Sequence, residues 1–456
     1  MPAVQTTHSS AQKAPFYKGS SWILGSLLEM EKDPAAFMER LLQSYDDVVR
    51  FRLATESVHL CIHPEAISHV LHDNHMNYDK QVFDYKMMGS RLLGKGLLTN
   101  DGPSWLKQRR LSQPAFSHKR INAYSSIMQR CTEDFLKEWQ QKDGQELDMS
   151  VEMAALTLRI VGLTLFGKDL IHESAEIGHA LSDANQMLTR RLFSGIPDFV
   201  RFMPLDFKLK KAANQLRNVV DEIIEERKGH EEDYDDLLSI LMMARDENDR
   251  GMDPVQMRDE VLTLLLAGHE TTANALTCAL HLLSLHPEEQ EHLSSECRTV
   301  CQGQVPDFQK TKELEAANRV VQETMRLYPP AWSIARRCKK DDEIMGYPIK
   351  SNSLVFLSQL VTHRHPDFWE RPELFRPARF SADEIKSRHQ YAFFPFGGGP
   401  RLCIGADFAM MEAVIILSSL MMEFRVEPLR EKVDMELLIT LRPKDGLPLR
   451  IQRRSV

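Results

Sequence analysis

The order of apolar and polar positions divides the chain into regions of different periodicity. Val48 to Leu53 and Ser57 to Ile62 are short β-prone runs flanking a polar turn, so a small sheet is expected over about residues 45–65. Pro64 then opens a helix that runs through Leu71. From about Trp105 to Pro287 the spacing is almost wholly helical, apart from charged stretches such as QQKDGQE and HEEDYDD, which read as solvated loops or faces. Beyond Arg326 the chain turns Pro-rich and aromatic, with strand-like pieces at EIMGYPI and SLVFLSQ. A last long helix follows Cys403, and the terminal ITLRPKDGLPLRI predicts a hairpin around Asp445 and Gly446. No Gly/Ser-rich or Pro-rich linker interrupts the sequence and no solenoid-length repeat recurs, so residues 1–456 are expected to form one domain, mainly α with a smaller β-rich part.

One helix stands out by its length. Asp253 can cap it, Pro254 suits its first position, and its pattern runs over about residues 254–286. Inside the apolar run LTLLLA come Gly268, His269, Glu270, Thr271 and Thr272, and the glycine alone costs about 1 kcal/mol relative to alanine. The Thr271 hydroxyl can bond back to the Ala267 carbonyl, and Gly268 lets the helix open, which would leave a notch able to admit dioxygen. The plainer alternative is a polar stripe on an amphipathic helix.

The segment richest in chemistry is Phe396-Gly397-Gly398-Gly399-Pro400-Arg401-Leu402-Cys403-Ile404-Gly405, which leads into the helical ADFAMMEAVIILSSLMMEF. Its glycines let a flat macrocycle approach the backbone and free N–H groups to point at a sulfur. Cys403 sits where the helix begins, so the dipole and those N–H groups favour a thiolate. Arg401 offers a permanently charged fork to a carboxylate. A buried cysteine in a glycine turn, taken alone, is more often structural. The ten residues together resemble the haem-binding loop of the cytochrome P-450 family, whose pattern is Phe, two residues, Gly, one residue, Arg, one residue, Cys, one residue, Gly.

The resemblance implies the cytochrome P-450 fold and haem b held in the loop 396–405, with Cys403 as ligand to the iron and Phe396, Arg401 and Gly405 around the cofactor. The run from Ala267 to Thr272 resembles the family's oxygen-activating segment. It implies Ala267 beside the cofactor, Thr271 as the hydroxyl that protonates and steadies bound dioxygen, and Glu270 as the acid that relays protons to it. His269 reads as a packing or surface residue.

Trp105 and Arg109 are four apart in WLKQR, so an indole N–H and a guanidinium can converge on one carboxylate. The resemblance assigns that carboxylate to a haem propionate, whereas a half-buried tryptophan with a nearby arginine is the plainer alternative. Glu323 and Arg326 in ETMR have intrahelical ion-pair spacing, usually surface decoration. Followed by RPARF, they resemble the family's buried charge network, completed by Arg379. Arg336 in ARRC and Lys80 in YDK resemble further propionate partners. Two departures from the family pattern are a third glycine, Gly399, and the missing membrane anchor of many eukaryotic members.

Composition narrows the function classes. A net charge of −8 without a basic stripe argues against nucleic acid as a partner. The seven cysteines are odd in number and lack paired spacing, which argues against a disulfide framework and for a reducing, cytoplasmic setting. Trp22 to Leu24 is the longest apolar stretch near the start, so neither a signal peptide nor a transmembrane anchor is expected.

The resemblance implies a soluble, bacterial-type haem-thiolate monooxygenase. It would insert one oxygen atom of dioxygen into an apolar substrate by hydroxylation or epoxidation, and that substrate would be fatty-acid-like, terpenoid or otherwise lipophilic. The expected pocket wall comprises Gln81 to Leu98, Leu188 to Phe202, Ala267 and Ala331-Trp332-Ser333. No flavin or iron–sulfur segment is attached, so an external ferredoxin or flavodoxin with its reductase is expected to supply electrons. A haem-thiolate isomerase or peroxygenase would share the fold without needing Glu270 and Thr271, and a haem sensor or carrier would turn over nothing. A zinc site at Cys297 and Cys301, or at His363 and His365, lacks a second pair at zinc-finger spacing.

Overall fold

A computed structural model of the protein describes residues 13–194, 204–230, 236–245 and 251–455. The helices that build or border the site are α1 (Leu27–Lys32), α2 (Gly102–Ser112), α3 (His118–Gln140), α4 (Met149–Leu165), α5 (Ser174–Phe193), α6 (Pro204–Arg227), α7 (Pro254–Leu285), α8 (Pro287–Cys301), α9 (Glu315–Leu327) and α10 (Ala406–Glu423). The strands are β1 (Val48–Leu53), β2 (Glu56–Cys61), β3 (Tyr78–Asp79), β4 (Glu146–Asp148), β5 (Ile334–Cys338), β6 (Asp342–Ile344), β7 (Tyr347–Ile349), β8 (Leu354–Leu357), β9 (Phe424–Pro428), β10 (Met435–Leu437), β11 (Leu441–Pro443) and β12 (Pro448–Arg453). The architecture is mainly helical with several small sheets. No helix of the described residues is long and apolar enough to cross a membrane.

The predicted β1–β2 hairpin forms in register Val48↔Cys61 to Leu53↔Glu56. It is one edge of a five-stranded sheet ordered β1-β2-β8-β5-β3, in which β8 joins β2 in parallel across some 300 residues of chain. A second sheet is ordered β4-β12-β9, and β6–β7 and β10–β11 are separate ribbons.

The expected terminal hairpin around Asp445 and Gly446 does not form. Instead β11 pairs with β10, and β12 leaves the turn to run antiparallel to β9 and β4. Local turn chemistry loses to burial: Leu449 and Ile451 are buried, and Asp148 receives the Leu447 N–H at 2.9 Å.

Helix α7 starts as its sequence dictates. Pro254 occupies the first turn and the Asp253 carboxylate accepts the Gln256 N–H at 3.0 Å. Pro287 ends it and opens α8. It stays α-helical without interruption, so the expected opening at Gly268 is not what that glycine provides. A Cβ there would stand 3.3 Å from Val161 Cγ2 of α4, so the missing side chain serves the close packing of two helices. Helix α10 is buried on every side from Met411 to Met422, as a helix apolar all round must be.

Helix α7 also pins the segment that precedes α2. Asp259 accepts the Lys95 N–H at 2.8 Å and Glu260 accepts the Leu97 N–H at 3.0 Å. Gly94 and Gly96 lie so close to Asp259 and Thr263 that no side chain fits at either position. This clamp fixes Leu92, Leu93, Leu97 and Leu98 where they face the interior.

Candidate functional site

In the middle of the otherwise buried α7, Ala267 is exposed, while Gly268, Glu270 and Thr271 are partly so. They open on a cavity of about 1030 Å³. Its wall also carries Phe396, Gly397 and Cys403 from the loop before α10. Leu181, Leu188 and Leu192 of α5 line it too, as do Phe83, Met87, Leu97, Trp332 and Ile439. The expected pocket segments around 81–98 and 331–333 therefore lie on its wall. Of the stretch Leu188 to Phe202, Leu188, Leu192 and Phe193 line it, and residues 195–202 lie outside the described residues.

Cys403 differs from the other six cysteines in the described residues, all of which are buried. Its sulfur opens on the cavity, deep inside the protein. Burial pushes the thiol up from its ordinary range, while the Gly405 N–H and the nearby Arg109 charge pull it down. The backbone is fixed by a Cys403 N–H donated to the Phe396 carbonyl at 3.0 Å and a Leu402 N–H donated to Gly399 at 3.1 Å. Gly399 has φ +61°, and a Cβ on it would lie 1.8 Å from the Leu71 carbonyl oxygen. The third glycine of the loop is thus required by backbone-to-backbone contact.

Four cations gather at one edge of the cavity: Lys80, Arg109, Arg336 and Arg401. Arg401 stacks 3.9 Å over the Trp105 ring and pairs with Asp101, and burial lowers its pKa to about 10. Lys80 donates to the Leu98 carbonyl at 2.7 Å and Arg336 to Ala335 at 2.9 Å. Neither they nor Arg109 make an ion pair among the described residues. Burial drives Lys80 well below its ordinary value and lowers Arg109.

The Asp84 and Asp101 carboxylates lie near Lys80, but Lys80, Arg109 and Arg336 close no ion pair among the described residues, so this edge retains positive charge that suits an added anion. An apolar slot, a cysteine on one face and a cationic edge fit a flat macrocycle with two carboxylates, which is haem. Trp105 and Arg109 both line the cavity, as their spacing on α2 expects.

On the α7 wall, Thr271 Oγ1 donates to the Ala267 carbonyl at 2.7 Å, and Thr272 Oγ1 to Gly268 at 3.3 Å. Glu270 points elsewhere. Its carboxylate accepts Asn185 Nδ2 at 2.6 and 2.8 Å and Thr440 Oγ1 at 2.7 Å, with no hydrogen bond to Thr271. Burial raises its pKa, against the pull of Thr440, Arg442 and Asn185. His269 is buried in the core and pushed down to about 4, so it is a neutral packing residue.

Glu323, Arg326 and Arg379 meet under the cysteine loop. Arg326 donates twice to Glu323, at 2.7 and 2.8 Å, and Arg379 Nε lies 3.4 Å from the same carboxylate, all three side chains being buried. Arg326 also donates to the carbonyls of His363, Pro372 and Leu374. His363 in turn accepts the Phe394 N–H at 3.0 Å, which ties this network to the start of the loop. His365 pairs with Asp47 at 2.9 Å. The two histidines weighed for zinc are thus engaged in separate roles.

Sequence reasoning missed Asn185, Thr440 and Asp101, and weighed His363 only as a zinc candidate. Of these, only Asp101 carried a local signal, as a capping residue before the glycine of α2.

A profile of the family described as cytochrome P-450 matches residues 15–449. Cyclooctatin synthase of Streptomyces melanosporofaciens is 34% identical over 416 residues, covering 89% of this chain and 88% of that protein. Cyclooctat-9-en-7-ol 5-monooxygenase of the same organism is 31% identical over 413 residues, covering 90% and 89%. Pentalenene oxygenase of Streptomyces avermitilis is 30% identical over 411 residues, 90% of each chain. The chain belongs to the cytochrome P-450 family, whose members bind haem b through a cysteine thiolate, and it is an oxygen-incorporating oxidoreductase acting on lipophilic substrates.

Proposed function

We propose that the protein hydroxylates or epoxidises a cyclic, terpenoid-like substrate, with Cys403 as the thiolate ligand of haem. The observation that carries this reading is that Cys403 and the Ala267–Thr271 segment line one and the same apolar cavity. The names of the relatives, which refer to cyclooctatin, a cyclooctatenol and pentalenene, support a cyclic hydrocarbon skeleton. The volume of the cavity and its leucine, methionine and phenylalanine lining support the same class.

When bound, the cofactor supplies the capacity to activate dioxygen, and a thiolate ligand favours cleavage of the O–O bond. The chain's own residues do the rest. The Gly405 N–H and Arg109 stabilise the Cys403 sulfur as an anion, the form that binds a metal. Lys80, Arg109, Arg336, Arg401 and Trp105 would hold the propionate edge and so orient the macrocycle. Phe396 and Gly405 shape the cysteine side, and Ala267 keeps the opposite side shallow. Thr271 holds a proton at Oγ1, parked on the Ala267 carbonyl, and Glu270 is the acid that replenishes it. Glu323, Arg326 and Arg379 hold the cysteine loop from below. The whole chain works as one haem domain in a reducing, cytoplasmic setting, which suits its unpaired cysteines. Electrons come from a separate ferredoxin or flavodoxin with its reductase.

The test is the Soret band of reduced, carbon monoxide-treated protein, shifted to longer wavelength in the native chain and not in Cys403→Ser. Paired with it, turnover under isotopic dioxygen should label the product of a cyclic terpene by one oxygen atom. A labelled product from fatty acids alone, or label arriving from water, would overturn the substrate class or the reaction type respectively.

A further inference from the structure

We propose that Asn185 and Thr440 are positioning residues for Glu270: they fix where its carboxylate points and how tightly it holds a proton. This rests on the reading of Glu270 as the proton source for Thr271.

The carboxylate stands where three elements meet. Glu270 projects from α7, Asn185 from α5, and Thr440 from the turn 438–440 between β10 and β11. Asn185 Nδ2 reaches both carboxylate oxygens, at 2.6 and 2.8 Å, and Thr440 Oγ1 donates to one of them at 2.7 Å. Neither donor is loose. Asn185 is 3% exposed, and the turn is anchored by Trp332 Nε1 donating to the Leu438 carbonyl at 2.8 Å and by the Leu441 N–H donating to Pro330 at 2.9 Å. Within the turn, the Leu438 N–H donates to the Thr440 carbonyl at 3.1 Å.

Every hydrogen bond reaching Glu270 comes from a donor, and donors favour the ionised form. They oppose the burial that raises its pKa. The charges that face it are Arg442, which also lowers it, and Glu436, which raises it; the two are themselves paired at 2.7 Å. Element α5 faces it with a neutral amide, while the hydroxyl of the next residue on α7, Thr271, is committed to Ala267. A proton can therefore pass from Glu270 to Thr271 only when the carboxylate gives up one of these donors or a water bridges the gap. Both donors stand on cavity walls, so the acid is controlled by the elements that meet the substrate.

The experiment uses the haem-loaded protein with electrons from an electrode and no substrate. The readouts are the carboxyl infrared band lost in Glu270→Gln, titrated against pH, and hydrogen peroxide released per electron over the same pH range. Thr440→Val and Asn185→Leu should each bind the Glu270 proton about tenfold more tightly, moving both midpoints to higher pH. Thr440→Ser should restore the native profile. The carbon monoxide spectrum checks loading, and the two variants act from separate elements, so misfolding of one leaves the other decisive. If Glu270→Gln keeps the pH-dependent limb of peroxide release, the role of Glu270 itself fails. If Glu270→Gln abolishes that limb while Thr440→Val and Asn185→Leu leave the infrared midpoint unmoved, the positioning proposal alone is overturned.

Discussion

Gly399 and Thr271 show how much single residues decide here. Gly399 combines a left-handed backbone with an approach to the Leu71 carbonyl that no side chain survives. Gly399→Ala should therefore cost at least about 2 kcal/mol and lower haem content, measured by urea unfolding and pigment-to-protein ratio. Thr271 is different, because its side chain is replaceable in packing terms. Thr271→Ala should load haem normally yet form about tenfold less product per reductant consumed, with Thr271→Ser close to native. Cys403, Thr271, Trp105, Arg109 and Arg401 are singled out in the sequence because their motifs resemble a family pattern, spacing alone leaving plainer alternatives, and all of them line the cavity. Asn185 and Thr440 could not be singled out, since a polar residue on an amphipathic helix or in a turn has no local signature.

At the scale of elements, α7 both frames the site and sets its stability. Glu260 accepts the Leu97 N–H at 3.0 Å and is pushed by burial to about 8 from an ordinary 4.5. The folded chain then keeps a proton that the unfolded chain has released, so stability falls as pH rises through that interval. Glu260→Gln keeps an acceptor for Leu97 and removes the titration. It should match the native protein near pH about 5 and exceed it near about 8, which urea midpoints at both pH values would check. Elements themselves were legible where pattern and caps agree, as at Asp253 and Pro254. The terminal hairpin was misread because Leu449 and Ile451 bury against β9, a choice that turn residues do not encode.

On the scale of the whole molecule, fold and cofactor are coupled through charge. Lys80 and Arg336 are buried and Arg109 half-buried without an ion pair among the described residues, and the nearby Asp84 and Asp101 charges only partly offset the cost of burying Lys80, an arrangement that an added anion would relieve. Lys80→Met should raise the stability of haem-free protein by about 1 kcal/mol or more while making haem leave faster, seen by calorimetry and by transfer to a haem scavenger. The sequence by itself determined the helical frame, the glycine-rich cysteine loop and the Thr271 back-bond to Ala267, because periodicity, caps and turn requirements act over a few neighbouring positions. Only the tertiary structure decided which side chains answer Glu270, which strand β12 joins and which cations lack partners. Those depend on surfaces brought together from tens to hundreds of residues apart, where burial and unmatched charge outweigh any local preference.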